Sequence, residues 1–151
     1  MKQKLKRAIL AVAAMIALII VGGACAHMMM MVSGRSRPAE SEFGMGPRTS
    51  GSGRYQARLV TERPLVTRQM QRLNLVLTDS AGQPVDSASI AIDGGMPQHG
   101  HGLPTQPRVT AQLGNGTYQV DGIRFNMGGW WELKFRIAGA AADSIVFNLA
   151  L

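Results

Sequence analysis

The chain has 151 residues, a formal charge of +7, 46% apolar residues and a single cysteine. One cysteine excludes a disulfide-stapled scaffold, and no basic run is interleaved with aromatics, so the positive charge does not indicate nucleic-acid binding. Lys2, Lys4, Lys6 and Arg7 account for four of the sixteen basic residues, which leaves twelve against nine acidic ones beyond them.

Those four basic residues precede an uninterrupted apolar run over residues 8–21. This is the layout of a bacterial-type export signal, and its charge predicts that the rest of the chain crosses to the outer side. Three fates are open. Cleavage after Ala26 fits the small residues Ala24 and Ala26 around Cys25. Lipidation would use Cys25, with Gly22 standing where an aliphatic residue is usual. Retention as an uncleaved signal-anchor fits the uncharged stretch that runs on through His27 and Met28, long enough for the roughly 20 residues of a span. The expectation is a signal/anchor segment over residues 1–32, which holds the remainder on the periplasmic side of the cytoplasmic membrane. His27 with the methionines at 28–31 is read as an extension of that apolar segment.

Residues 33–54, rich in Ser, Gly, Pro and Arg, read as a flexible linker. Residues 55–151 are enough for one small domain and not two. Within them, residues 55–60 alternate weakly, whereas Leu73, Leu75 and Leu77 alternate strictly, as a half-buried strand requires. Residues 79–84 make a turn, and residues 88–92 a further strand. Residues 94–107, with four glycines and three prolines, read as a long loop of the kind that carries function. Gly114-Asn115-Gly116 joins two strands as a hairpin. Gly128 and Gly129 suit a bulge before the strand at 131–137, and residues 144–151 form the last strand. Trp130 and Trp131 point to opposite faces of an extended chain, one into the core and the other partly exposed. Seven or so short strands without helical periodicity predict an all-β, immunoglobulin-like antiparallel β-sandwich, preceded by the N-terminal hydrophobic segment and the linker.

The chemistry concentrates in Met96-Pro97-Gln98-His99-Gly100-His101-Gly102. Residues at i and i+2 of an extended chain share a side, so His99 and His101 can address one ligand. Imidazole with thioether suits copper, especially the soft cuprous ion. Two imidazoles leave the shell incomplete, so Met96, Met127 or a partner protein would complete it. Met127 reads equally as core filler, and the histidines as residues that bond backbone and fix the turn. Asp93 is a candidate for orienting His99. No nucleophile–base order and no close carboxylate pair stands out, so no enzyme activity is expected.

Asp79-x-x-Gly82-x-Pro84-Val85, the His99/His101 segment, and Gly116-x-Tyr118-x-Val120-x-Gly122-Ile123-x-Phe125-x-Met127-x-Gly129-x-Trp131-x-Leu133 follow one another in order and spacing. Together they resemble the YtkA-like/FixH-like family of exported bacterial domains over roughly residues 65–150. The resemblance implies an immunoglobulin-like sandwich, commonly behind one membrane anchor. FixH-type relatives are associated with machinery that supplies copper to a haem–copper oxidase, although the long arginine-containing linker departs from that type. The expected function is therefore a membrane-tethered binding module that binds or delivers copper through His99, His101, Met96 and Met127. The alternative is a metal-free interaction domain supporting a membrane oxidase or transporter complex.

Overall fold

A computed structural model of the chain describes residues 35–151. The expected signal/anchor segment, with Cys25 and the methionines at 28–31, lies outside the described residues.

Nine strands form among the described residues: β1 (Arg48–Thr49), β2 (Tyr55–Val60), β3 (Gln71–Asp79), β4 (Ser89–Met96), β5 (His101–Gly102), β6 (Arg108–Gly114), β7 (Thr117–Ile123), β8 (Trp130–Ala138) and β9 (Asp143–Ala150). Every named pairing is antiparallel. The all-β antiparallel expectation therefore holds. The strands follow one continuous path, β1-β2-β3-β7-β6-β4-β8-β9, with β5 on the edge of β4. The join between β6 and β4 is a single pair, Ala91 with Arg108, and there the path bends so that its two halves face each other.

Alternation sends one set of side chains inward. Leu73, Leu75 and Leu77 of β3 meet Leu133, Phe135 and Ile137 of β8 and Ile145, Phe147 and Leu149 of β9 in one core. Phe135 and Phe147 pack edge to face at 5.8 Å, as do Phe125 and Trp131 at 5.2 Å, the arrangement that ring quadrupoles favour. The Tyr118 hydroxyl donates to the Val85 carbonyl at 2.7 Å and accepts from the Ala88 amide at 3.0 Å, tying the turn after β3 to β7.

Two departures from expectation share one cause. The segment read as a flexible linker is ordered from Glu40 onward: a single 3-10 turn at Glu40–Glu42 is followed by β1. Phe43 bridges Asn148 of β9, the Leu59 amide donates to the Met45 carbonyl, and the Gly51 amide donates to the Ser144 carbonyl. Residues 43–51, which include the end strand β1, thus lie between β2 and β9, at the other end of the path, and bring the sheet close to a closed barrel. Backbone pairing needs few apolar side chains, so a segment poor in aliphatics docks by its amides and carbonyls. The same segment corrects the reading of the tryptophans. One of the two, Trp131, is in the core as expected, but the other, Trp130 on the opposite face, is also buried, at 1% exposure, rather than partly exposed. Phe43 covers it edge to face at 6.4 Å, Arg37 lies 4.5 Å over the Phe43 ring, and its indole N–H donates to Asn148 at 2.9 Å.

Candidate functional site

Strand register places three connections at one end of the sheet. Val60 closes β2 where Asn74 of β3 begins its pairing, Gln71 pairs with Ile123, and Gly95 pairs with both Glu132 and Gly102. Residues 61–70, 97–107 and 124–129 therefore gather there.

The segment expected as a long loop is in part a hairpin. β4 continues through Gly94 and Gly95 to Met96 and pairs with β5 through Gly95–Gly102 and Met96–His101. The Met96 carbonyl accepts from the amides of His99 at 3.1 Å and Gly100 at 2.9 Å, which closes the turn. His99 therefore lies in a turn and not on the extended backbone that the i, i+2 reading assumed. The His99 and His101 rings stand side by side, 6.1 Å between centres and 29° between planes, and both residues are exposed.

The two methionines part company. Met96 is 2% exposed and belongs to the core, whereas Met127 is 44% exposed. Met96 and His101 are cross-strand partners and leave the ribbon on the same side. The thioether of Met96 nevertheless runs inward, its methyl carbon lying against Gly129, where a Cβ would stand only 2.9 Å away. Gly129 has a φ of +128°, and this close approach is a second reason for glycine there. The 124–129 connection is thus seated on Met96, and it is fixed further where the Trp131 indole donates to the Met127 carbonyl at 3.0 Å. Met96 is accordingly a structural contact that joins the hairpin to its neighbouring loop, which corrects its candidacy as a ligand.

Asp93 is also corrected. Its carboxylate accepts from Arg136 at 2.7 Å and from the Gly94 amide at 2.8 Å, so its bonds go to strand neighbours and none to His99. No group of three His, Cys, Asp or Glu residues placed to hold a metal ion occurs among the described residues. What the hairpin tip offers is an imidazole pair with open positions beside it, and Met127 on the adjoining loop.

The third connection, residues 61–70, carried no motif in the sequence. Its Arg68 amide donates to the Phe125 carbonyl at 2.6 Å, which links it to the 124–129 loop. At its base Arg72 pairs with Asp121 at 2.6 Å. That guanidinium, with the Thr110 hydroxyl, holds the Asp121 carboxyl below its usual range, and the carboxylate in turn raises Arg72. Its apolar residues are Leu65, Val66 and Met70, of which Val66 and Met70 are exposed.

Comparison with known proteins gives a family match over residues 49–136, to the family described as YtkA-like. No curated protein matches the chain. A solved structure described as the ZirS C-terminal domain is similar at 14% identity and a TM-score of 0.37, covering 80% of this chain and 82% of that one.

Proposed function

The chain belongs to the YtkA-like family, and from that premise we propose that it is a membrane-tethered, extracytoplasmic β-domain, immunoglobulin-like in its sandwich, that binds or delivers copper. His99 and His101 are the primary ligands, and Met127, exposed on the 124–129 connection, is the thioether that would join them. The reading is of a binding module and not of an enzyme.

The paired rings carry this reading. A metal–nitrogen bond of about 2.0 Å and a further ~1.2 Å from nitrogen to ring centre would allow two imidazoles on one ion to stand at most ~6.4 Å apart. The observed 6.1 Å lies inside that limit. Imidazole with thioether favours copper over hard cations. Two or three ligands on an exposed tip leave positions open to a partner's donors, which suits transfer better than storage.

Burial of Met96 favours one rival, a metal-free module that docks to a membrane oxidase or transporter complex by the same loop end. Titration of the full-length protein with cuprous and cupric ions separates the two. Saturable binding that the double substitution His99→Ala with His101→Ala abolishes is the expected result. Unchanged affinity in that variant would reject the copper reading and leave the docking module.

A further inference from the structure

Five large apolar residues are exposed among the described residues: Val60, Val66, Met70, Leu113 and Met127. Leu113 stands by the turn from β6 to β7. The other four gather at the opposite end of the sheet, where residues 61–70, 97–107 and 124–129 meet. Val60, Val66 and Met70 line one hollow there. The bond from the Arg68 amide to the Phe125 carbonyl joins their loop to the connection that carries Met127. The loop is held with these side chains outward. The Gln71 side chain donates to the Val66 carbonyl and accepts from the Val66 amide, both at 2.7 Å, as a strand neighbour would. Arg68 keeps a left-handed φ of 64°, a conformation that persists in a non-glycine residue only when its surroundings enforce it.

Exposed apolar surface gathered in one place marks a contact with a protein or with a membrane. Two observations favour the membrane. The first is where the chain enters the sheet. Phe43 lies on Trp130, the first residue of β8. The Met45 carbonyl accepts from the amide of Leu59, one residue before the end of β2. The chain therefore comes in at the end that carries the four apolar residues. Only residues 33–36 separate Arg37 from the segment read as an anchor, and they span under about 20 Å even when extended. A nine-residue strand such as β3 runs for about 30 Å. A tether this short, entering here, turns the loop end and not the far end toward a bilayer.

The second observation is charge. The three connections carry exposed Arg63, Arg68 and Arg124 against one acidic residue, Glu62. None of these arginines has an ion-pair partner among the described residues, whereas Arg72 beside them is matched by Asp121, and Arg37 on the entering segment by Glu40. The turns at the far end carry Asp79, Asp86 and Asp143 against Arg54. Arginines beside apolar side chains suit a surface of anionic headgroups, where the alkyl stems lie on the lipid chains and the guanidinium groups among the phosphates.

We infer that this end of the domain lies on an anionic bilayer. Val66, Met70 and Met127 dip into the interface, and Arg63, Arg68 and Arg124 meet the lipid phosphates. The inference rests on the tethered reading above. Docking by this face also holds the His99–His101 hairpin beside the bilayer, where the donors of a membrane-embedded partner can reach it.

The test is methyl NMR of the full-length protein, labelled at methionine, in lipid discs of phosphatidylcholine and phosphatidylglycerol doped with a nitroxide lipid. The native methyl groups of Met70 and Met127, assigned through Met70→Leu and Met127→Leu, report on the docked face. Leu113→Met, at an exposed position, supplies a probe at the far end. Broadening of Met70 and Met127 severalfold stronger than that of the far-end probe is expected. It should weaken severalfold in discs of phosphatidylcholine alone, through loss of the anionic headgroups. Val66→Asp, outside the strands, should bring it down to the far-end level by placing a charge in the interface. Copurification of the chain with the discs reads the tether separately. A chain that copurifies while Met70 and Met127 broaden no more than the far-end probe overturns this inference alone and leaves the patch to a protein partner. Broadening that ignores both Val66→Asp and the loss of phosphatidylglycerol overturns it as well. A chain that does not copurify rejects the tether and this inference together.

Discussion

Replacing Phe43 by Ala tests whether residues 37–51 are part of the fold. The ring lies edge to face on Trp130, under Arg37, in a segment that bonds to β9. Phe43 is half-buried, so the ring loses on the order of 80 Å² of buried apolar area, about 2 kcal/mol. Loss of the edge-to-face contact adds ~0.5–1 kcal/mol. A total of roughly 2–3 kcal/mol should lower Tm by about 10 °C for a folded unit of this size. The assay is intrinsic fluorescence during a thermal melt, because the chain's two tryptophans differ in cover. Trp131 stays in the core while Trp130 becomes wet, so part of the native emission should shift red before any unfolding. Phe43→Leu should recover most of the stability without restoring the ring contact. Unshifted emission together with a Tm within 2 °C of the wild type would refute the claim that this segment covers β8 and β9.

Gly116 has a φ of +69°, and a Cβ there would collide with the Leu77 carbonyl oxygen, whereas Gly114, at +80°, has nothing nearby. Gly116→Ala should therefore cost at least about 2 kcal/mol and Gly114→Ala about 1 kcal/mol, read as shifts in urea midpoint. The hydroxyls of Ser50 and then Ser52 hold the Asp143 carboxyl well below the usual carboxylate range. A carboxyl depressed in the folded state stabilises above its unfolded value, about 3.9, and loses that contribution as pH falls further. Melts in steps from pH 7 to pH 2 should show a steeper acid loss in the wild type than in Asp143→Asn. Met96→Leu should leave cuprous affinity within about twofold of the wild type, since a buried Met-to-Leu exchange conserves volume. Met127→Leu should weaken cuprous binding by about tenfold through loss of a soft ligand.

Much of the sheet was legible because alternation is local. Leu73, Leu75 and Leu77 are all buried to 1% exposure or less, and the 114–116 turn joins β6 to β7. The histidine pair was legible as two neighbouring imidazoles, but not for the expected reason: His99 lies in the turn between β4 and β5, with Gly100 at a φ of +64°, and that turn sets the rings side by side. The ordering of residues 40–53 was not legible. Their composition is that of a tether, and their partners lie as far away as Ser144 and Asn148. Met96 misled because a methionine beside a proline in a glycine-rich stretch looks exposed. Its burial depends on Gly129, more than thirty residues along the chain. The apolar patch at the loop end left almost no trace, because Val60, Val66, Met70 and Met127 come to it from separate segments.

Residue order alone was enough to specify strands, turns, a three-block family pattern and two neighbouring imidazoles. All of these are written in contacts between residues a few positions apart. Three-dimensional packing decided which methionine stays accessible, what covers the second tryptophan and where the exposed apolar side chains gather. Each of those depends on distant segments meeting, and a periodic pattern says which face is apolar without saying what comes to lie on it.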